Sequence, residues 1–231
     1  MATRHLLADL VTAAVESGLP GIEIESTGGV DAARRVAAGE PVDLVLLARD
    51  ALDALAADGH VDPHSVTDLV ISQVAVAVPA ESAAVAAGAV AERTETPAFT
   101  DAAQMKERML DAPRIGYSTG PSGTALRRML DGWGALDELD ARLVQAPPGV
   151  PVAELLRHGE VSIGFQQESE LIGQPGIRLL GTLPAECAII TVFSGAVAAT
   201  ASDASAVTDL LHFLTSPATA AVREQHGFRL P

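Results

Sequence analysis

Two long stretches, D-L-V-I-S-Q-V-A-V-A-V-P (68–79) and C-A-I-I-T-V-F-S-G-A-V-A-A-T (187–200), constrain the fold of this chain more than any other feature. The first alternates valine with alanine in its second half, and both are long enough to be extended strands. Each closes a series in which short apolar runs alternate with segments of helical period. The first series has a helical stretch at 3–16 (Leu6, Leu7, Leu10, Val11, Ala14), an alternating I-E-I-E-S at 22–26 and a short helix at 30–38. It continues with the apolar run D-L-V-L-L-A (43–48), which suits a strand buried on both faces, and a helix at 49–59 closed by Gly59. The second series runs helix 100–111, strand 114–118, helix 121–133, strand 142–145, helix 151–158, strand 161–166, helix 168–172 and strand 177–181. Two helices, at 203–215 and 217–226, end the sequence. Such alternation predicts sheets with helices on their faces. Long strands that leave one sheet and enter another predict two lobes with two chain crossovers. The stretch from 80 to 98, rich in Ala, Pro, Glu and Thr, reads as the least ordered part.

The chemistry centres on R-I-G-Y-S-T-G-P-S-G-T-A-L-R-R-M-L (114–130). A buried strand through Ile115 and Tyr117 leads into a polar turn and then a helix starting near Pro121. Gly120 permits backbone angles that a side chain forbids, and Pro121 suits a first helical position. The amides of Ser122, Gly123 and Thr124 then point out of the helix start, beside the hydroxyls of Ser118, Thr119 and Ser122. This is a cluster of uncharged donors suited to an oxyanion or a carboxylate. No Gly-Lys-Ser/Thr follows, so it is not a nucleotide phosphate loop. The same residues also make an ordinary capped strand-to-helix turn.

Charge narrows the partners. The formal net charge of −15 argues against nucleic acid and anionic membranes, which need a basic face. Any bound anion must be held by local dipoles or a few arginines against that field. Aromatics make up only 3% of the chain, so the core is built of Ala, Val and Leu. The single cysteine, Cys187, rules out an internal disulfide and reads as a buried small hydrophobe. The six histidines show no metal-ligand pattern, and His60 and His64 straddle Pro63. Nothing in the sequence calls for a metal or a cofactor. No segment has the length of a membrane span, and the start, M-A-T-R-H-L-L-A-D-L, lacks a signal-peptide pattern. The chain is expected in the periplasm if its start has been trimmed, and in the cytoplasm if it is complete as given.

Several segments together resemble the molybdate-binding family of periplasmic solute-binding proteins. They are S-T-G-G-V-D-A-A-R-R-V-A-A-G, D-L-V-L-L-A-R-D-A-L-D-A-L-A-A-D-G-H-V, I-G-Y-S-T-G-P-S-G-T-A-L, A-P-P-G-V-P-V-A-E-L-L-R-H-G-E-V-S-I-G-F-Q-Q and L-H-F-L-T-S-P-A-T-A-A-V-R-E-Q-H-G-F. The resemblance covers essentially the whole chain in order. It implies a type 2 periplasmic-binding-protein-like α/β fold: two mixed or parallel sheets flanked by helices and joined by two hinge strands, with a ligand in the cleft between the lobes. The lobes would be 1–76 with 195–231, and 77–194. Carried over, the family's anion loops fall on Thr27, Gly28 and Gly29, on Ser118 through Ser122, on the turn Gly149–Val150–Pro151, and on Gln166 and Gln167.

This chain departs from the family in two places. The family opens with a strand, whereas here the chain opens on what reads as the following helix. A tyrosine that contacts the oxyanion in molybdate binders falls where this chain has Gln166 or Gln167, and a paired amide suits a planar carboxylate at least as well. Arg49 follows the strand 43–48 at its carboxyl end, placed either to clamp a carboxylate or simply to start a solvated helix. Arg4 stands near the first anion loop on the same terms. Glu168 and Glu170 follow the glutamine pair, as a general base or as ordinary first-turn acids.

The expected function is a receptor closing on a small anion, such as molybdate, tungstate or a small carboxylate, for uptake through an ABC-type permease. The alternative is an isomerase of a small unsaturated polycarboxylate such as aconitate, working by an allylic proton shift on the same fold. Its catalytic residues are left unassigned, and the carboxylate clamps and proton carrier available to it are Arg4, Arg49, Ser118, Thr119 and Glu168.

Overall fold

The computed structural model describes residues 3–80, 91–92 and 98–231. Most of the Ala/Pro-rich stretch around 80–98 therefore lies outside the described residues. The chain divides into two compact units, one of 1–72 with 191–231 and one of 73–190.

In the first unit, α1 (Arg4–Glu16) buries Leu6, Leu7, Leu10 and Ala14 on one face. These pack with Leu210 and Leu214 of α9 (Ala204–Thr215) and with Phe228. The Asp203 carboxylate caps α9 by accepting from Ala206 N–H at 3.0 Å. Next come α2 (Gly29–Ala37), β1 (Leu44–Ala48), α3 (Arg49–Ala57) and the first half of β2 (Thr67–Pro79). β1 pairs antiparallel with β7 (Ile190–Val197), Leu44 facing Val197 and Ala48 facing Phe193. After α9 the chain makes a short turn from Pro217 and a final helix, α10 (Ala220–Gln225), where the sequence predicted one continuous helix.

One expected strand is absent. I-E-I-E-S at 22–26 alternates correctly but belongs to no ladder. Ile22 alone turns in, half-buried against the core around α1. Glu25 is instead held by a bidentate pair with Arg35, at 2.6 and 2.8 Å. Period-two patterning fits a residue run for a strand, but only a neighbouring strand makes it one.

The second unit carries one mixed sheet in the order β6-β2-β5-β3-β4. Its new members are β3 (Ile115–Tyr117), β4 (Leu143–Gln145), β5 (Ile163–Gln167) and β6 (Ile177–Thr182). β4, β3 and β5 run parallel, while β2 is antiparallel to β5 and β6. The pleat sorts the core. Val74, Val76 and Val78 of β2 face one cluster with Ile115, Tyr117, Ile163 and Phe165, while Ala75 and Ala77 face the other. Packed into the first cluster are α4 (Ala102–Asp111) and α5 (Pro121–Gly132), and into the second α7 (Val152–Arg157). A short helix the sequence did not suggest, α6 (Leu136–Leu139), follows α5, and α8 (Glu168–Leu171) follows β5 directly.

Two glycines set how close α7 comes to the sheet. Gly116 and Gly164 are register partners on β3 and β5. A Cβ on Gly164 would meet Val152 at 2.5 Å, and one on Gly116 would meet Val161 at 2.9 Å and Val152 at 3.2 Å. The pair forms a flat seat that lets the first turn of α7 sit directly on the strands.

Candidate functional site

The topology of the second unit singles out one place. β3 exits through α5 toward β4, on one side, and β5 exits through α8 toward β6, on the other. The carboxyl ends of two adjacent parallel strands therefore diverge, which opens a crevice where α/β sheets bind ligands. Ser118 through Ser122 leave β3 there, and Gln166, Gln167 and Glu168 end β5 and begin α8 beside them.

Burial marks the same place. In this unit the buried polar and charged side chains, among the described residues, are Ser118, Ser122, Gln166, Gln167 and Glu168. Buried polar groups are concentrated at this one edge of an otherwise apolar sheet. Ser118 Oγ and Ser122 Oγ lie 2.9 Å apart and share one hydrogen bond, which leaves one hydroxyl proton of the pair for another acceptor. The first backbone bond of α5 runs from Thr124 N–H to Gly120 C=O at 3.1 Å, so the amides of Ser122 and Gly123 precede it at the helix start. Gly120 makes the turn with φ 97°. Gly123 allows the close approach: a Cβ there would lie 1.9 Å from the Ser118 carbonyl oxygen. Thr119 is exposed at the tip of the turn.

Gln166 has a task the sequence did not reveal. Its Oε1 accepts from Val152 N–H at 2.8 Å and so caps α7 from a neighbouring strand. That bond orients the amide and leaves its Nε2 side as the donor. Val150, in the turn before α7, donates its N–H to Pro147 C=O at 3.0 Å, closing the turn that Gly149 (φ 82°) permits.

The first-unit candidates are differently placed. Thr27 donates its hydroxyl to Asp31 at 3.1 Å, and Asp31 also takes Arg34 at 2.6 Å. These bonds hold the Asp31 carboxyl below its ordinary range, the Arg34 contribution being largest and Thr27 second. Gly28 and Gly29 are exposed at the start of α2, where no side chain caps the helix. Arg49 stands where expected, at the end of β1, but its guanidinium donates to Asp53 at 2.8 Å and Asp68 at 2.9 Å. Asp68 also accepts from the buried Ser194 hydroxyl at 2.7 Å. Burial pushes the Asp68 carboxyl up, but the Ser194 and Arg49 hydrogen bonds outweigh it and the net shift is downward. Arg49 thus starts α3 with both of its carboxylate partners half-exposed. The sequence did not reveal Asp68 as a partner of Arg49, 19 residues away, nor Ser194 as a partner of Asp68, 126 residues away.

Tyr117 is buried in the core and Trp133 packs against it. Burial first, then Glu186, raises the Cys187 thiol, so it is an inert hydrophobe. Arg4 is exposed on α1. Among the described residues no three His, Cys, Asp or Glu side chains group to hold a metal, and no helix is long and apolar enough to cross a membrane.

A mixed α/β sheet with uncharged donors at its switch point defines a ligand-binding unit of the periplasmic-binding-protein type. Solved structures have the same fold. A substrate-binding domain from Clostridium difficile superposes with a TM-score of 0.77 at 16% identity, covering 100% of this chain and 95% of that one. The periplasmic molybdate-binding protein of Azotobacter vinelandii superposes with a TM-score of 0.72 at 18% identity, over 99% and 96%. In sequence, the chain is 32% identical over 195 residues to an aconitate isomerase from a Pseudomonas species, covering 84% of this chain and 70% of that protein. Residues 2–229 match the bacterial extracellular solute-binding proteins, and the chain belongs to that family.

Proposed function

We propose that this chain binds a small organic or inorganic anion at the carboxyl ends of β3 and β5, as a solute receptor that hands its cargo to an ABC-type permease outside the cytoplasm. The observation that carries this reading is the convergence of buried, uncharged donors on one switch point: Ser118, Ser122, Gln166, Gln167 and the open start of α5. Fixed dipoles and hydroxyls hold an anion without adding counter-charges, which suits a chain whose net charge is −15. Amide donors beside hydroxyls fit planar carboxylates at least as well as tetrahedral oxyanions. Thermal melts against molybdate, tungstate, sulfate, citrate, cis-aconitate and trans-aconitate test it. A true ligand at a hundred times its dissociation constant stabilises the fold by about 2.7 kcal/mol. No shift with any of the six sinks the reading.

A second reading is supported by the 32% identity to an aconitate isomerase. On it, the same edge takes an unsaturated tricarboxylate and moves its double bond by a proton shift. Incubation with one aconitate isomer, followed in the ultraviolet for loss of the starting isomer, separates turnover from binding.

A further inference from the structure

Among the described residues, Glu168 is the one buried carboxylate, at 3% exposure. It directly follows Gln166 and Gln167 at the carboxyl end of β5. Tyr117 pairs with Phe165, so the segments leaving the two strands start side by side. The other side chains this edge gathers, Ser118, Thr119, Ser122, Gln166 and Gln167, hold their protons throughout the neutral range. Beside a bound anion a carboxylate adds repulsion. A site that only holds an anion gains nothing from it, whereas a site that takes a proton and returns it needs such a group.

We infer that Glu168 is the proton carrier of this site, and that the substrates it serves are unsaturated polycarboxylates with a CH2 between a carboxylate and a C=C bond. The inference rests on the isomerase reading. In the step, the Glu168 carboxylate takes one proton from that CH2. The electron pair of the broken C–H bond forms the new C=C bond. The former π pair moves to the far alkene carbon, which receives the proton back from the Glu168 carboxyl group. One C–H bond breaks and one forms, with no change of oxidation state and no cofactor. The hydroxyl and amide donors around it would hold the substrate carboxylates while the double bond moves.

The test uses the full chain, with proton NMR in D2O to follow conversion of cis- and trans-aconitate and loss of the CH2 signal. Melts with propane-1,2,3-tricarboxylate, which has the carboxylates but no double bond, read binding alone. The wild-type chain is expected to convert aconitate and wash deuterium into the CH2. Glu168→Gln is expected to bind the saturated tricarboxylate as tightly as wild type or more tightly, and to lose conversion and exchange by about 100-fold or more. Glu170→Gln, on the same short helix, is expected to keep both. Should Glu168→Gln not fold, Glu168→Asp keeps the charge but withdraws it by one methylene, and conversion is expected to fall at least about tenfold with binding retained. Wild-type rates in either variant overturn the role of Glu168 while leaving the isomerase reading intact. A wild-type chain that melts higher with tricarboxylates, yet neither converts nor exchanges them, overturns both and leaves the receptor reading.

Discussion

The two units handle their polar groups in opposite ways. In the first unit, groups suited to an anion are occupied by carboxylates: Thr27 by Asp31, Arg34 by Asp31, Arg35 by Glu25 and Glu40, and Arg49 by Asp53 and Asp68. In the second, the buried polar cluster consists of two hydroxyls, two amides and a single carboxylate. The contrast follows from composition. With 30 acidic residues against 15 basic ones, arginines such as Arg34, Arg35 and Arg49 have carboxylates within reach. Two neutral donors of the first unit, Thr27 and Ser194, also reach carboxylates. In the second unit Ser118 and Ser122 bond to each other instead, so the groups gathered at the strand ends stay uncharged.

The largest effect expected from testing this contrast is at Gly123. A methyl there would lie 1.9 Å from the Ser118 carbonyl oxygen and 3.0 Å from the buried Tyr117 ring, so Gly123→Ala should destabilise the fold by about 3 kcal/mol and abolish anion binding. Urea denaturation and a ligand melt measure the two losses. An alanine variant with native stability and native binding would mean that the start of α5 is not built as described.

Next comes the double variant Ser118→Ala with Ser122→Ala. Each hydroxyl lost to a charged ligand costs about 1.5–3 kcal/mol of binding, whereas their mutual bond is worth only about 1 kcal/mol of stability. Calorimetric titration should show affinity down by roughly 100-fold or more, with a small change in melting temperature. Unchanged affinity would move the site away from this edge.

Acid sharpens the comparison from the other side. Asp68 is pushed up by burial but pulled further down by Ser194 and Arg49, so its folded carboxyl lies below its unfolded value. The unfolded chain then binds its proton more readily. The stability this group supplies is present above about pH 4, the unfolded value, and is lost as pH falls through the folded one. Asp68→Asn should lower stability at neutral pH and flatten the acid limb of the stability curve. An acid limb as steep as wild type would show that Asp68 contributes nothing to it.

The smallest effect is expected at Arg49. Its partners are half-exposed and solvent-screened, so Arg49→Ala should change stability by no more than about 1 kcal/mol and leave anion affinity where it was. A large loss of affinity in this variant would break the contrast, because the first unit would then supply a charge to the ligand.

Much of this was legible in the chain itself. Apolar runs alternating with helical periods located most of the elements, because periodicity reports the face a residue turns to the core. The Gly-Pro-Ser-Gly turn disclosed an open helix start, since Gly120 and Pro121 have few conformations open to them. The order of these segments was enough for the family resemblance. What the sequence left undecided depends on which segments become neighbours. The ladder that 22–26 lacks, the seat made by Gly116 and Gly164, the capping of α7 by Gln166 and the capture of Arg49 by Asp68 all join residues distant along the chain. Local preference is written in a residue and its near neighbours, but pairing is decided only when the chain closes. Hydrogen bonds and charges are spent at that point, and the tertiary structure alone determines which donors remain for a ligand.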